Sequence, residues 1–170
     1  MPVCATARSE AARSTMSDSS AVSLAPSFGA LVDGVRLVLP AGVPVIYLTE
    51  AAVHPLAGAP ARVVGLMQIQ GHPVVVLDAS RVVAGGAPAL RRHAVLVLGA
   101  PGDSGALRVD EAPAPIALGE PRPEAVLPAC AFASALHDPV GDAAEPARVW
   151  WHFEPARLFE ALAAAPGADS

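Results

Sequence analysis

The run Val63-Val64-Gly65-Leu66-Met67-Gln68-Ile69-Gln70-Gly71-His72-Pro73-Val74-Val75-Val76-Leu77-Asp78 constrains the fold of this chain more than any other stretch. Two β-rich segments, Leu66 to Gln70 and Pro73 to Leu77, meet at Gly71, a residue free to take the positive φ that a tight connection needs. The second segment stops at Asp78, an aspartate suited to capping a short mid-chain helix over Ala79 to Val83, which Gly85-Gly86 can end. Arg62 to Gly65, just upstream, is expected as a helical turn. The run therefore reads as strand, turn, strand and short helix.

The same logic extends in both directions. Phe28 to Val32 and Val35 to Leu39 are short apolar runs joined by Asp33-Gly34, the dipeptide that best supports a two-residue hairpin turn. Pro40 and Pro44 interrupt the ladder because proline has no amide donor, leaving Val45 to Thr49 and Ala52 to His54 as further extended pieces before a loop over Pro55 to Pro60. After a Gly/Ala/Pro linker at Ala84 to Leu90, with the basic pair Arg91-Arg92 read as solvated loop, strand signals return. Ala94 to Leu98 is continuously apolar, Ala100 to Ser104 is a turn, and Ala106 to Asp110 sets Leu107 and Val109 against Arg108 and Asp110. Pro113, Pro115, Pro121, Pro123 and Pro128 mark a connection with at most one short strand, Ile116 to Leu118. Phe132 to His137 and Arg148 to Phe153 are expected as strands flanking a loop over Asp138 to Pro146. Glu154-Pro155 opens a final helix with Leu158 and Leu162 on one face. The reading is mainly β: about nine or ten short strands in two successive groups, a short mid-chain helix and a C-terminal helix. Two small barrels packed together are the economical solution, and strand count alone also permits a sandwich.

Composition narrows the function. At 170 residues and 53% hydrophobic, the chain can fill one core of ordinary size, while 4% aromatic residues, 18 prolines and 14 glycines point to small-residue packing and frequent turns. A net charge of −5 argues against a nucleic-acid or anionic-membrane surface. No apolar stretch approaches the roughly 20 residues that cross a bilayer, so membrane insertion is not expected. Residues 1–26 are rich in Ser, Ala, Thr and Arg, lack the apolar region of a secretory signal and read as a disordered tail, with Met16 as an alternative start. Residues 27–163 form the domain, in two sub-barrels with a break near 84–92, and 164–170 a second tail. Two distant cysteines, Cys4 and Cys130, build neither a disulfide framework nor a metal site, which fits a cytoplasmic protein.

The central run resembles the signature of CheW-like domains, the adaptor modules of bacterial chemotaxis and pilus-linked signalling, in which a Gly-Leu strand, a Gly turn and a Pro-Val-Val-Asp-like strand sit mid-domain. The match extends over Phe28 to Leu162: the opening hairpin ending Leu39-Pro40, the Gly71 turn, Val74-Val75-Val76-Leu77-Asp78, then Ala94-Val95-Leu96-Val97-Leu98 facing Gly105-Ala106-Leu107-Arg108-Val109-Asp110-Glu111. Two departures stand out. Gln68-Ile69-Gln70-Gly71 replaces the Asn-Leu-Arg-Gly of many members, so Gln70 stands where an arginine is linked to receptor and kinase coupling, and Ala112-Pro113 shortens a later strand. A guanidinium offers five donors and a permanent charge where an amide offers two donors and none. The resemblance implies two SH3-like five-stranded β-barrels sharing a hydrophobic interface, with the C-terminal segment returning to the first barrel. It implies a non-enzymatic adaptor that couples the regulatory domain of a CheA-like histidine kinase to the cytoplasmic tip of chemoreceptors, with a pilus-linked twitching-motility system as one setting. The alternative is an orphan β-barrel module binding a peptide or small ligand between its barrels.

The residues read as a partner-binding surface are Gln68 and Gln70, expected on one strand face by alternation, with His72, Arg62, and Val38 and Val75 near an apolar patch. Trp150 and Trp151 fall on opposite faces of their strand; one belongs in the core, and Trp150, flanked by Arg148 and His152, is either covered by the C-terminal helix or a contact anchor. Arg36 is read as surface. His54, His72, His93, His137 and His152 lack metal-ligand spacing, so no metal or cofactor is expected. Ser104, His137 and Asp138 could be assembled as a triad only on paper, because no nucleophile elbow exists, and Gly99-Ala100-Pro101-Gly102 lacks the ending of a phosphate loop. The sequence carries no catalytic constellation.

Overall fold

The computed structural model describes residues 26–80 and 91–164. The expected mid-chain helix over Ala79 to Val83 lies outside these residues from Arg81 onward, as do the linker Ala84 to Leu90 and all but one residue of each expected tail. In chain order the strands are β1 (Ser27–Val32), β2 (Val35–Val38), β3 (Val45–Val53), β4 (Val63–Ile69), β5 (His72–Leu77), β6 (Arg91–Ala100), β7 (Asp103–Arg108), β8 (Ala114–Ile116), β9 (Leu118–Pro121), β10 (Leu136–Asp142) and β11 (Val149–Phe153). A 3-10 turn at Ala133–Ala135 precedes β10, and helix α1 (Pro155–Ala164) follows β11.

The strands form two curled sheets, one of six strands in the order β8-β1-β2-β11-β10-β9 and one of five in the order β3-β6-β7-β5-β4. In the first, the two edge strands are consecutive in the chain, separated by Ala117 alone, whose carbonyl accepts the amide of Ala143 at 2.9 Å. The sheet therefore curls back towards its own edge. In the second, the edges are bridged where His54 and Leu66 exchange amide–carbonyl bonds of 2.8 and 2.9 Å. Bending each sheet in this way leaves little open edge for unwanted pairing.

Two apolar clusters explain the arrangement. Ala51, Val53, Met67, Val74, Val76, Val95, Val97 and Ala106 fill the inside of the five-stranded sheet. The larger cluster joins the two sheets and α1: Val32, Val35 and Leu37 of the first sheet, Leu77, Leu96, Leu98 and Leu107 of the second, with Trp151, Phe153, Leu158 and Leu162. Strand β6 is buried on both faces, Val95 and Val97 towards one cluster and Leu96 and Leu98 towards the other. That is why its sequence is a continuous apolar run instead of an alternating one. Helix α1 contributes Leu158 and Leu162 from one face, as their spacing implies, and Phe159 lies against Gly105 of β7, where an added Cβ would come within 2.6 Å of the ring.

The expected hairpins form, β1–β2, β4–β5 and β6–β7. Asp33 and Gly34 carry φ of 49° and 74°, and Gln70 and Gly71 carry 51° and 84°, the double positive φ of a two-residue turn matched to strand twist. Several expectations are corrected. The region 84–92 does not separate two barrels: β3, β4 and β5 before it share one sheet with β6 and β7 after it, while β1 and β2 join β8 to β11. The first sheet has six strands, not five. Arg91 and Arg92 begin β6 and are not in a loop. Val63 to Gly65 opens β4 instead of forming a helical turn, and β3 is one strand interrupted by a register shift between Leu48 and Ala51. The proline-rich connection holds two strands, β8 and β9. Strand β10 begins at Leu136 and runs to Asp142 through a bulge at Asp138, where a loop was expected.

Candidate functional site

The β4–β5 hairpin presents its two faces differently. Register pairs Leu66 with Val75 and Gln68 with Pro73 on one face, and Met67 with Val74 and Ile69 with His72 on the other. Met67 and Val74 are buried in the smaller cluster, so that face points into the curled sheet. The opposite face is open: Gln68 and Pro73 are exposed, and Val75 is 42% exposed. It leads into a groove of about 650 Å³ between the five-stranded sheet and α1, whose walls include Val63, Val75, Ser104 and Phe159. The surface is an apolar strip with an amide at its end, able to hydrogen-bond and to bury carbon, and the groove wall also carries the side chains of Asp103 and Glu160.

The expected partner-binding residues are distributed across the molecule. Gln68 and Val75 lie together on the open hairpin face. Gln70 is exposed, but it occupies the turn with φ of 51°, so strand alternation stops before it and it does not continue the Gln68 face. His72 is exposed at the register partner of Ile69, near the β6–β7 turn, where a Cβ on Gly102 would lie 3.8 Å from His72 Nδ1. Arg62 sits at the far end of the hairpin and donates from Nη1 to the carbonyls of Ala79 and Ser80 at 2.6 and 3.2 Å. Its guanidinium fastens the chain leaving β5. Asp78 does the same work from its side: its carboxylate accepts the Ser80 amide at 2.9 Å and the Ser80 hydroxyl at 2.6 Å, and pairs with Arg108. Val38 is 4% exposed and offers no surface.

Trp150 belongs to the other sheet. Trp151 faces the large cluster with Leu158 and Leu162, so α1 covers Trp151 and not Trp150, contrary to the expected cover. The Trp150 ring instead crosses the opposite face of the sheet to Gly29 and Ile116; an added Cβ on Gly29 would stand 2.3 Å from a ring carbon. Its indole N–H donates to Asp142 Oδ2 at 3.0 Å, while Asp142 Oδ1 accepts the amides of Ala144 and Glu145 at 2.8 and 3.0 Å. These donors, the indole first, hold the Asp142 carboxyl below the usual carboxylate range. Sequence reading missed Gly29 and Asp142, because neither a glycine in an apolar run nor an aspartate after Val140-Gly141 signals a tryptophan seat.

Elsewhere, His137 and His152 stack with ring centroids 6.1 Å apart, and His137 Nδ1 lies 2.9 Å from Asp138 Oδ2. Ser104, the third member of the paper triad, is on β7 of the other sheet. Among the described residues no group of three or more His, Cys, Asp or Glu side chains is placed to hold a metal ion, and no helix is long and apolar enough to cross a membrane.

No protein-family model matches the chain, and no curated protein matches its sequence. In three dimensions it is similar to the crystal structure of the scaffolding protein TtCheW from Thermoanaerobacter tengcongensis, with a TM-score of 0.52 and 14% identity over 79% of this chain and 88% of that one. The fold is CheW-like. In this chain the two curled sheets share one core, and the C-terminal strands return to the sheet that opens the chain.

Proposed function

We propose that this protein is a non-enzymatic cytoplasmic adaptor in a chemotaxis-type signalling array, binding the regulatory domain of a CheA-like histidine kinase and coupling it to chemoreceptor tips. The observation that carries the reading is the CheW-like fold, two curled sheets on one shared core, since the similar solved protein is described as a scaffold. A second support is the surface itself. The open face of the β4–β5 hairpin combines the Gln68 amide with Val75 and continues into the groove beside Phe159. Such a strip suits a polar-rimmed protein contact of modest size. Arg62, fastened to Ala79 and Ser80, acts by holding the hairpin's base, and Gln70 and His72 border the contact at its tip. A pilus-linked array that drives twitching motility is the setting proposed for this departure from the Asn-Leu-Arg-Gly pattern.

Isothermal titration against the regulatory domain of the CheA-like kinase from the same organism tests the reading. Saturable binding is expected, and Val75→Asp, which places a charge in the strip, should weaken it by about tenfold or more. Gln70→Arg should change the affinity, while far-UV circular dichroism remains that of the parent. No heat and no complex on gel filtration with the unaltered protein would overturn it.

A further inference from the structure

We propose that the Trp150 face of the six-stranded sheet is a binding site for a small organic carboxylate with an apolar body. A cavity of about 560 Å³ opens on this face, within the roughly 300–1,000 Å³ typical of small-molecule sites. Leu31, Ile116 and Trp150 supply apolar walls, and Arg36, Arg148, Glu111 and Asp142 supply the charges. Strands β2 and β11 pair in parallel with Leu37 opposite Trp151. Arg36 and Trp150, one residue earlier on each, therefore project side by side from the other face.

Two guanidinium groups and two carboxylates line the cavity, but Arg36 is not joined to either carboxylate by an ion pair. Glu145 is engaged with Arg148, and Asp142, although it keeps its negative charge, commits its oxygens to the three N–H donors already described, so neither carboxylate pairs with Arg36. Among the described residues, Arg36 has no ion-pair partner, and Glu111 at the exposed rim has none either. A half-buried guanidinium beside apolar walls is a fork suited to a carboxylate, held by two parallel charge-assisted hydrogen bonds. The neighbouring wall is fixed in advance, since Trp150 is held at its N–H by Asp142 and seated on Gly29. A pre-set apolar plate beside an unanswered cation selects a molecule with one anionic end and one apolar end, and Glu111 disfavours a second negative charge.

Titration calorimetry on the whole protein with phenylacetate, acetate and 2-phenylethanol tests this. Phenylacetate should bind saturably, and 2-phenylethanol, the same body without the carboxylate, should bind at least about tenfold more weakly. Arg36→Gln should weaken phenylacetate by about tenfold or more without moving the thermal midpoint, because Arg36 makes no ion pair with the described residues. Glu111→Gln should tighten it. No saturable phenylacetate binding at millimolar concentration, or equal binding by the parent and Arg36→Gln, would overturn the proposal.

Discussion

Gly29 and Trp150 set each other's identity. The ring occupies the space a Cβ would need, with a ring carbon 2.3 Å from that position, so Gly29→Ala must displace the indole and stretch its bond to Asp142. Overpacking of this kind costs about 1–3 kcal/mol, which urea denaturation will read, and combining it with Trp150→Leu should recover part of the loss because the two residues share one space. His152 gives a different residue-scale prediction. Burial, then the neighbouring His137, lowers its pKa from the ordinary 6.5, with Asp138 acting in the opposite direction. The unfolded chain thus takes up this proton at a higher pH than the folded one. Stability should fall as pH drops through 6.5 and level off only below the folded-state value. In His152→Asn that portion of the acid destabilisation should be absent, as denaturation midpoints measured at neutral and mildly acidic pH will reveal.

At the scale of elements, the β4–β5 turn places Gln70 at φ of 51°, a conformation in which a long side chain on an L-residue costs about 1–2 kcal/mol and which asparagine tolerates better. Gln70→Asn should therefore stabilise the protein by up to about 1 kcal/mol, measured by chemical denaturation, and Gly71→Ala should destabilise it. Such hairpins were legible because their information is contiguous: Asp33-Gly34 and Gln70-Gly71 sit between apolar runs that need no distant partner to be recognised. The parallel pairs β2–β11 and β5–β7 were not legible, since nothing local in Leu37 or Val76 names Trp151 or Ala106 as neighbours. These pairings decide which strands share a sheet, which is why the region 84–92 read as a boundary. Prolines obscured the bounds of three more strands. Pro115 and Pro121 lie in edge strands, where a missing donor is tolerated, and Pro139 follows the Asp138 bulge of β10. For the candidate surface, Gln68 was put forward by strand alternation and Val75 as part of an apolar patch, but their shared face and the exclusion of Gln70 and His72 from it depend on register and on where the turn begins.

For the whole molecule, the decisive feature is the large cluster that takes side chains from both sheets and α1. Because neither sheet can be exposed without opening it, the protein should unfold in one transition, with the fluorescence of Trp150 and Trp151 and amide exchange in β6 giving coincident midpoints. Leu158→Ala, at 0% exposure in the middle of that cluster, should cost about 2–5 kcal/mol and lower both midpoints together. A shared core of this kind keeps the hairpin and the groove beside α1 in a fixed relation, which is what an adaptor acting by position alone requires. The most direct test of that account is amide chemical-shift mapping of the isotope-labelled protein titrated with the CheA-like regulatory domain. The account predicts perturbations concentrated at Leu66, Gln68, Val75 and Phe159, with the Trp150 indole N–H unmoved. Perturbations confined to the Trp150 face, or none at saturating partner, would contradict it.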